Sequence, residues 1–563
     1  MNTEIFGVIA MFIVAVAAAI PLGKYIARVY AGERSLLDGL CTPLEKRLYQ
    51  ISGIDASSPM NWKQHLRALL TINAVWFVLI FLLLITQHHL PLNPDNNPNM
   101  SPDLAFNTAI SFMVNCNLQH YAGETGVSYL SQMALMFLQF VSAASGMAAA
   151  VVLFEAFKHK SAEHLGNFYV FFVKSCTRIL LPISVVIALI LVFNGTPMTF
   201  EGKDHSSTLE GQYVEVSRGP AAAFIAIKHL GTNGGGFFGT NSAHPFENPN
   251  YTTNMVEMIA QLLIPFAMVF AFGYYIKRRR FSLMMFGVMT VGFLCLLLPT
   301  LAMETAGNPA IANMGINMDA GAMEGKESRI GAAATGFWNI ATTVISTGSV
   351  NSMHDSSMPL SGMNELLGMM INSFYGGVGV GILNFFVFVI LAVFISGLMV
   401  GRTPEIFGKK IEAREIKIAL IIALVHPFLI LVGTALAVSV PEWTQPTLNN
   451  PSFHGFSEML YEFTSASANN GSGFEGLGDN TPFWNISTGV VLLLARFIPI
   501  IGPVAIAGLL AQKAYVPEGA GTLKTDTTTF GILVLTIILI IAALAFFPAL
   551  TLGPIAEYFT LYQ

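Results

Sequence analysis

In the run LGTNGGGFFGTN, residues 230–241, three consecutive glycines follow Thr232 and Asn233. Backbone so free of side chains has two chemical uses: its N–H groups can cradle a phosphate, or its carbonyls can replace the hydration shell of a cation. The phosphate use demands more than glycine. A Walker loop needs Gly-x-x-x-x-Gly-Lys-Ser/Thr, and the chain contains neither that pattern nor an Asp-Lys-Thr-Gly phosphorylation motif. The cation use demands several strands around one axis, and three sister stretches supply them. In register, the four cores read Asn115-Cys116-Asn117, Thr232-Asn233-Gly234, Ser346-Thr347-Gly348 and Asn469-Asn470-Gly471. Their third residues stand 117, 114 and 123 positions apart. An internal repeat of that period organises the whole chain.

Other chemistry-bearing residues are sparse. Cys41, Cys116, Cys176 and Cys295 show neither CxxC nor metal-ligand spacing. His354 and Asp355 follow the third core without a second His or carboxylate at ligand spacing, so they are expected to shape a vestibule rather than to catalyse or bind a metal. With no nucleophile-base pair either, an enzyme is a distant reading.

The elements that must position the four cores are membrane helices. At 563 residues, 53% hydrophobic and 11% charged, with a mean hydropathy of +0.61, the chain belongs in a bilayer. Its net charge of −5 and single short basic run argue against nucleic acid. The first apolar run is too long for a signal peptide and carries Glu4 where a cation belongs, so it is read as a retained span. Ten segments are long enough to cross about 30 Å of hydrocarbon, near residues 5–29, 68–86, 128–157, 168–193, 253–276, 281–303, 371–400, 416–440, 484–511 and 529–548. Lys and Arg gather in alternate loops: Arg34 to Arg67, Lys158 with Lys160, residues 277–280, residues 402–417, and Lys513 with Lys524. Those loops are expected in the cytoplasm, which leaves both termini outside. Glu4 and the uncharged Leu561-Tyr562-Gln563 end agree with that placement.

Each outer loop carries an apolar stretch too short to span, ahead of a core: FNTAISFMVNCNLQ, FIAIKHLGTNGGGF, FWNIATTVISTGSV and MLYEFTSASANNGSG. These read as re-entrant half-helices, three of them after starting signals at Ser101-Pro102-Asp103, Gly219-Pro220 and Ser452. Unwound backbone at bilayer depth is tolerable only inside protein or around a watery cavity. Four such strands on a common axis solve this by turning carbonyls toward one cation, with the negative ends of the half-helix dipoles aimed at it. Gly234, Gly348 and Gly471 share a position where such a strand needs unusual backbone angles, and Asn117 is the non-glycine type most at ease there. Glycines that only permit close helix packing are the plain alternative, which does not explain four stretches in register.

At these residues the sequence resembles a known family. LGTNGGGFFGTNSAHPFENPN (230–250), STGSVNSMHDS (346–356), MEGKESR (323–329), FISGLMVGRTPE (394–405) and HGFSEMLYEFTSASANNGSGF (454–474) are similar to the potassium-binding subunit of the bacterial Kdp potassium-transporting ATPase. The resemblance runs from the first helix to the last. It implies an all-α integral membrane protein with ten transmembrane helices: four membrane-pore-membrane repeats around a pseudo-fourfold axis plus two flanking helices, as in the potassium transporter superfamily. It implies potassium as the bound ion, held by the backbone carbonyls of the twelve core residues, and a role for Gln119 at the filter mouth. Thr347 stands where the family more often has Asn, which leaves a carbonyl mechanism intact. It further implies the bacterial inner membrane and a complex with three partners: the P-type ATPase chain, a single-span accessory subunit, plus a small one-helix subunit. In that complex ATP hydrolysis, a translocase activity, belongs to the ATPase partner, and potassium passes to it through an intersubunit tunnel. A stand-alone potassium channel or ion-coupled transporter of the same architecture is the alternative.

The expected partition is 1–67 for the first flanking helix and a cytoplasmic loop, four repeats at 68–157, 168–276, 281–400 and 416–511, and a last flanking helix at 529–563. Gly376, Gly377, Gly379 and Gly381 interrupt the seventh span; close packing and a gate below the filter are equally open on the residues, and the resemblance supports the gate. Arg402 reads as a cytoplasmic anchor, with a place at the inner exit implied by the resemblance. Arg496 lies inside the ninth span, where a cation is costly and usually functional or paired; a barrier to direct passage, or a subunit contact, is expected. Lys174 and Arg178 are expected to snorkel. Glu442, Glu458, Glu462, Glu475 and Asp479 are read mainly as solvated surface that could also concentrate cations.

Overall fold

The computed structural model describes residues 3–517 and 523–561, so Tyr562 and Gln563 of the expected outer end lie outside the described residues. Among the described residues, ten helices are long and apolar enough to cross a membrane. Four shorter helices alternate with them: Pro102–Met113, Ala221–Leu230, Ala332–Val344 and Ser452–Ala468. These are the re-entrant half-helices, of 12, 10, 13 and 17 residues. The first starts as its sequence asks, with Ser101 before Pro102. The fourth starts one residue off expectation, because Pro451 and not Ser452 sits at the cap position.

The first span, Thr3–Ala31, packs along the fifth, Tyr251–Tyr275. Small residues make this approach possible. Ala15 and Ala19 are fully buried, and a Cβ on Gly23 would stand 2.7 Å from the Ala267 carbonyl. In lipid, close packing of this kind replaces the hydrophobic drive that a soluble core would have.

The seventh span is interrupted near the glycines that the sequence singles out, and its helical bounds differ from the expected 371–400. A shorter helix, Pro359–Ile371, ends where the span was expected to begin, and the helix Val380–Val400 starts only after an eight-residue break. Asn372, Tyr375, Gly376 and Gly379 have φ of 44°, 65°, 60° and 80°. Left-handed residues in that number cannot continue a right-handed helix. A 13-residue helix and a 21-residue one are therefore joined by irregular chain.

Arg178 also departs from expectation. In the fourth span, whose stretch Ser175–Leu180 is wound as a π-helix, its side chain is only 8% exposed. Its Nε and Nη2 donate to both oxygens of Glu45 at 2.6 Å, and Asp38 takes a third bond. Both acids belong to the helix Asp38–Ile51 on the Lys- and Arg-rich side. The guanidinium is pinned by carboxylates instead of reaching for water, while Lys174 donates to the Val29 carbonyl at 3.0 Å. Two small hairpins complete the fold: Asp204–Ser207 with Tyr213–Val216, and Glu405–Ile406 with Lys409–Lys410.

Arg178→Met leaves Glu45 buried without its cation, a loss of roughly 3–5 kcal/mol. Thermal unfolding of the purified protein should show a clear drop in midpoint, with protease cutting first near residues 38–51. An unchanged midpoint would mean that the pair holds nothing together.

Candidate cation filter

Each half-helix ends in the same backbone device. The middle residue of each triplet donates its N–H to the carbonyl five residues earlier: Cys116 to Ser111 at 3.0 Å, Asn233 to Lys228 at 2.9 Å, Thr347 to Thr342 at 3.0 Å and Asn470 to Ser465 at 2.9 Å. The first and third residues of every triplet are left-handed. Their φ values are 62° and 58° at Asn115 and Asn117, 46° and 68° at Thr232 and Gly234, 51° and 81° at Ser346 and Gly348, and 51° and 107° at Asn469 and Gly471. Glycine marks the third position in the sequence; nothing so plain marks the first, where Asn, Thr, Ser and Asn carry the strain and sequence reasoning missed it. Left-handed backbone in such residues costs energy and marks a place that the surroundings over-determine.

The four strands close into a ring. A Cβ on Gly234 would collide with the Thr347 carbonyl, one on Gly348 with the Asn470 carbonyl, and one on Gly471 with the Cys116 carbonyl. Strand two thus touches strand three, three touches four, and four touches one. The last edge is made by side chains: Asn117 Nδ2 donates to the Gly234 carbonyl at 2.8 Å, and Asn115 Nδ2 donates to the Thr232 carbonyl at 3.0 Å. A carbonyl oxygen has two lone pairs; that of Thr232 accepts this one bond, while that of Gly234 also accepts a longer one from Gln139 Nε2 at 3.4 Å. Asn117 replaces glycine at this edge because there its amide, and not a bare backbone, bridges the strands.

Behind the strands lies a polar shell. Asn115 Oδ1 accepts from Ser142 Oγ at 2.8 Å and from Asn233 Nδ2 at 2.5 Å, and Asn470 Nδ2 donates to the Thr342 carbonyl at 2.8 Å. Lys228 is fully buried in the second half-helix and paired with Glu247. Its carbonyl holds Asn233 and Gly234, while its Nζ reaches Asn241 Oδ1 at 2.6 Å. Lys at the C-terminal turn of an apolar helix was the available signal, since a cation there complements the helix dipole.

Gln119 clamps the strand beside it. Its Oε1 accepts from the Gly236 N–H at 2.6 Å and its Nε2 donates to the Gly236 carbonyl at 3.0 Å. Next to it, buried His120 lies 2.7 Å from Asn485 Oδ1, 3.1 Å from Glu462 Oε1 and 3.9 Å from Asp479 Oδ2. Glu458 and Glu462 are buried as well, so these acids are not the solvated surface expected of them. His354 and Asp355 find distant partners across repeats: His354 Nδ1 lies 2.8 Å from the Tyr461 hydroxyl, and Asp355 Oδ1 lies 2.8 Å from His454 Nε2.

Below the strands, the break in the seventh span approaches the filter. A Cβ on Gly377 would stand 3.8 Å from Thr232 Oγ1 and 3.9 Å from Ser346 Cβ. Gly379 packs on the Gly146 backbone, Gly381 on the Tyr375 carbonyl and Gly376 on Gly381. Arg496 is buried beside this segment: its Nη2 donates to the Ser142 carbonyl at 3.3 Å and would lie 3.2 Å from a Cβ on Gly146. Arg402 is not brought here. It is exposed beyond the far end of Val380–Val400, about 30 Å away along the helix axis.

Burial alone would lower the His120 imidazole, but Asp479, Glu462 and Asn485 outweigh it and raise its pKa to about 9. A raised folded-state pKa gives stability that is fully present below the ordinary histidine value of about 6.5 and is lost as pH rises through about 9. Thermal midpoints measured from acid to alkaline pH should therefore separate unaltered protein from His120→Gln most at low pH and bring them together above the raised value. A gap independent of pH would remove the charge from this account.

Known proteins share both the sequence and the fold. The family described as "Potassium-transporting ATPase A subunit" matches residues 9–559. The chain is 69% identical to the potassium-transporting ATPase potassium-binding subunit of Flavobacterium psychrophilum, over 100% of both chains. It is 57% identical to that of Bacteroides thetaiotaomicron, again over 100% of both, and 50% identical to that of Alicyclobacillus acidocaldarius over 98% of each. Among solved structures it is similar to the potassium transporter TrkH from Vibrio parahaemolyticus, with a TM-score of 0.51, 13% identity, and coverage of 89% of this chain and 98% of that one. At that identity the likeness concerns the fold: an all-α membrane architecture.

Proposed function

Since the chain belongs to the potassium-transporting ATPase A subunit family, we propose that it binds potassium from the outer side in a four-strand carbonyl filter and delivers it to a partner P-type ATPase subunit. The observation that carries this reading is the ring of four strands with one repeated backbone, left-handed at the first and third residue of each triplet. In this reading the ion's ligands are carbonyls of Asn115, Cys116, Asn117, Thr232, Asn233, Gly234, Ser346, Thr347, Gly348, Asn469, Asn470 and Gly471. Carbonyl dipoles held by a buried shell cost little reorganisation when they replace water around the ion. The C-terminal ends of the half-helices add negative potential to the same place.

Gln119 acts at the mouth by holding Gly236, and the neighbouring acids favour a cation there. The segment from Gly376 to Gly381, with Gly377 and Gly379, forms the gate, and Arg496 repels potassium from the straight path inward. Arg402 anchors the seventh span on the cytoplasmic side. Passage then turns sideways, where a cavity of about 60 Å³ beside Asn372 is lined by Asn384, His426 and Ser467 among apolar side chains. ATP hydrolysis falls to the partner, and the single-span and one-helix subunits complete the complex in the inner membrane, amid its lipid.

Gly234→Asp puts a bulky anion where the Thr347 carbonyl leaves no room for a Cβ. It should weaken potassium affinity by roughly tenfold or more and relax discrimination against rubidium and ammonium, read from potassium-stimulated ATP hydrolysis by the complex. Unchanged affinity and selectivity would exclude this strand from the pore. Purification of the tagged chain from its native membrane should co-elute a P-type ATPase whose hydrolysis responds to low potassium. Potassium flux through the isolated chain, without partner or ATP, would instead favour the stand-alone channel.

A further inference from the structure

The break in the seventh span is hydrogen-bonded to the inner end of the filter at three of the four repeats. Val378 donates its N–H to Thr232 Oγ1 at 2.9 Å. Asn372 Oδ1 accepts from Ser346 Oγ at 3.0 Å, and its Nδ2 donates to the Ala468 carbonyl at 3.4 Å. Thr232 and Ser346 are the first residues of their triplets, and Ala468 immediately precedes the fourth. The carbonyl-ligand reading uses none of these bonds, because they engage side chains at the first positions and the chain beneath them.

We propose that the Thr232 hydroxyl and the Asn372 amide latch residues 372–379 to the filter, as positioning residues that hold the exit beneath it closed. The inference rests on the carbonyl-filter reading and adds a regulation of the same site. The segment is suited to two positions. It is not helical, half of its eight residues are left-handed, and its far side rests on small residues: a Cβ on Gly146 would stand 2.5 Å from the Val378 carbonyl. Opening requires few bonds to be exchanged. Val378 is fully buried, so losing the bond from its N–H to the Thr232 hydroxyl without a replacement costs energy, and that hydroxyl favours the closed position. An ion settling among the carbonyls of Thr232 and Ser346 shifts the strands that carry the latch, so that occupancy above biases the segment below.

The test uses the full complex in proteoliposomes. It reads passive flux of labelled rubidium without ATP, and KM against kcat for potassium-stimulated hydrolysis. Asn372→Gly keeps the left-handed backbone and removes both side-chain bonds. It should raise passive flux at least about five-fold while leaving the preference for potassium over rubidium as in the unaltered complex. Thr232→Val, which removes the acceptor, should raise flux in the same way, and Thr232→Ser should restore the low value. The latch is overturned if flux stays low in both Asn372→Gly and Thr232→Val, if serine fails to rescue, or if Asn372→Gly loses selectivity along with closure. Where the valine variant does not assemble, the serine and glycine variants decide alone: low flux in Asn372→Gly sinks the proposal. Failure of the filter reading is a different result, unchanged affinity in Gly234→Asp, and cannot be mistaken for failure of the latch.

Discussion

Backbone that leaves helical form at bilayer depth must find a partner for every N–H and C=O group, and this constraint governs the arrangement of the four repeats. Each half-helix stops short and turns a strand back through the interior. The middle N–H of each strand is returned to a carbonyl of its own half-helix. Left-handed residues before and after it set the direction of the strand. Carbonyls not used in this way are left for neighbouring amides or for an ion. A ring of inward-turned backbone is thus the consequence of unwinding four segments of the chain together where lipid cannot reach.

The same constraint explains the buried charges. Lys228 of the second half-helix with Glu247 of the segment that follows its strand, and Lys326 of the loop ahead of the third half-helix with Glu304 of the sixth span, are pairs of fully buried side chains. Neither is strong evidence for stability, since desolvation offsets much of the attraction. Their effect is positional: Glu247 also accepts the Phe238 N–H at 2.9 Å, and Glu304 accepts that of Met358 at 3.0 Å. Arg496 differs, because among the described residues no carboxylate lies within ion-pair distance of it; its guanidinium donates instead to the Ser142 carbonyl. A cation so placed leaves an uncompensated positive field beside the break in the seventh span.

Hydropathy made the ten spans readable, and the register of four small-residue stretches made the repeat readable. Period and composition survive in a single sequence because each repeat meets the same bilayer and the same axis. Boundaries were less visible where helices are broken. The seventh span reads as one apolar run from residue 371 because Phe374, Tyr375 and Val378 keep the break itself apolar, and only Asn372 and the glycines betray the interruption. Arg178 reads as a snorkelling cation because its acids, Asp38 and Glu45, belong to a separate helix.

The order of residues by itself determined the solvent of this protein, the number of its spans and the four positions where the chain must unwind, because these depend on local hydropathy and on backbone freedom. Which strand touches which, that Asn117 closes the ring with its amide, and that Val378 meets Thr232 across repeats were decided only in the tertiary structure. The reason is distance along the chain. Groups more than a hundred positions apart become neighbours only when four similar units pack around one axis, and no local pattern records which member of each unit will face the next.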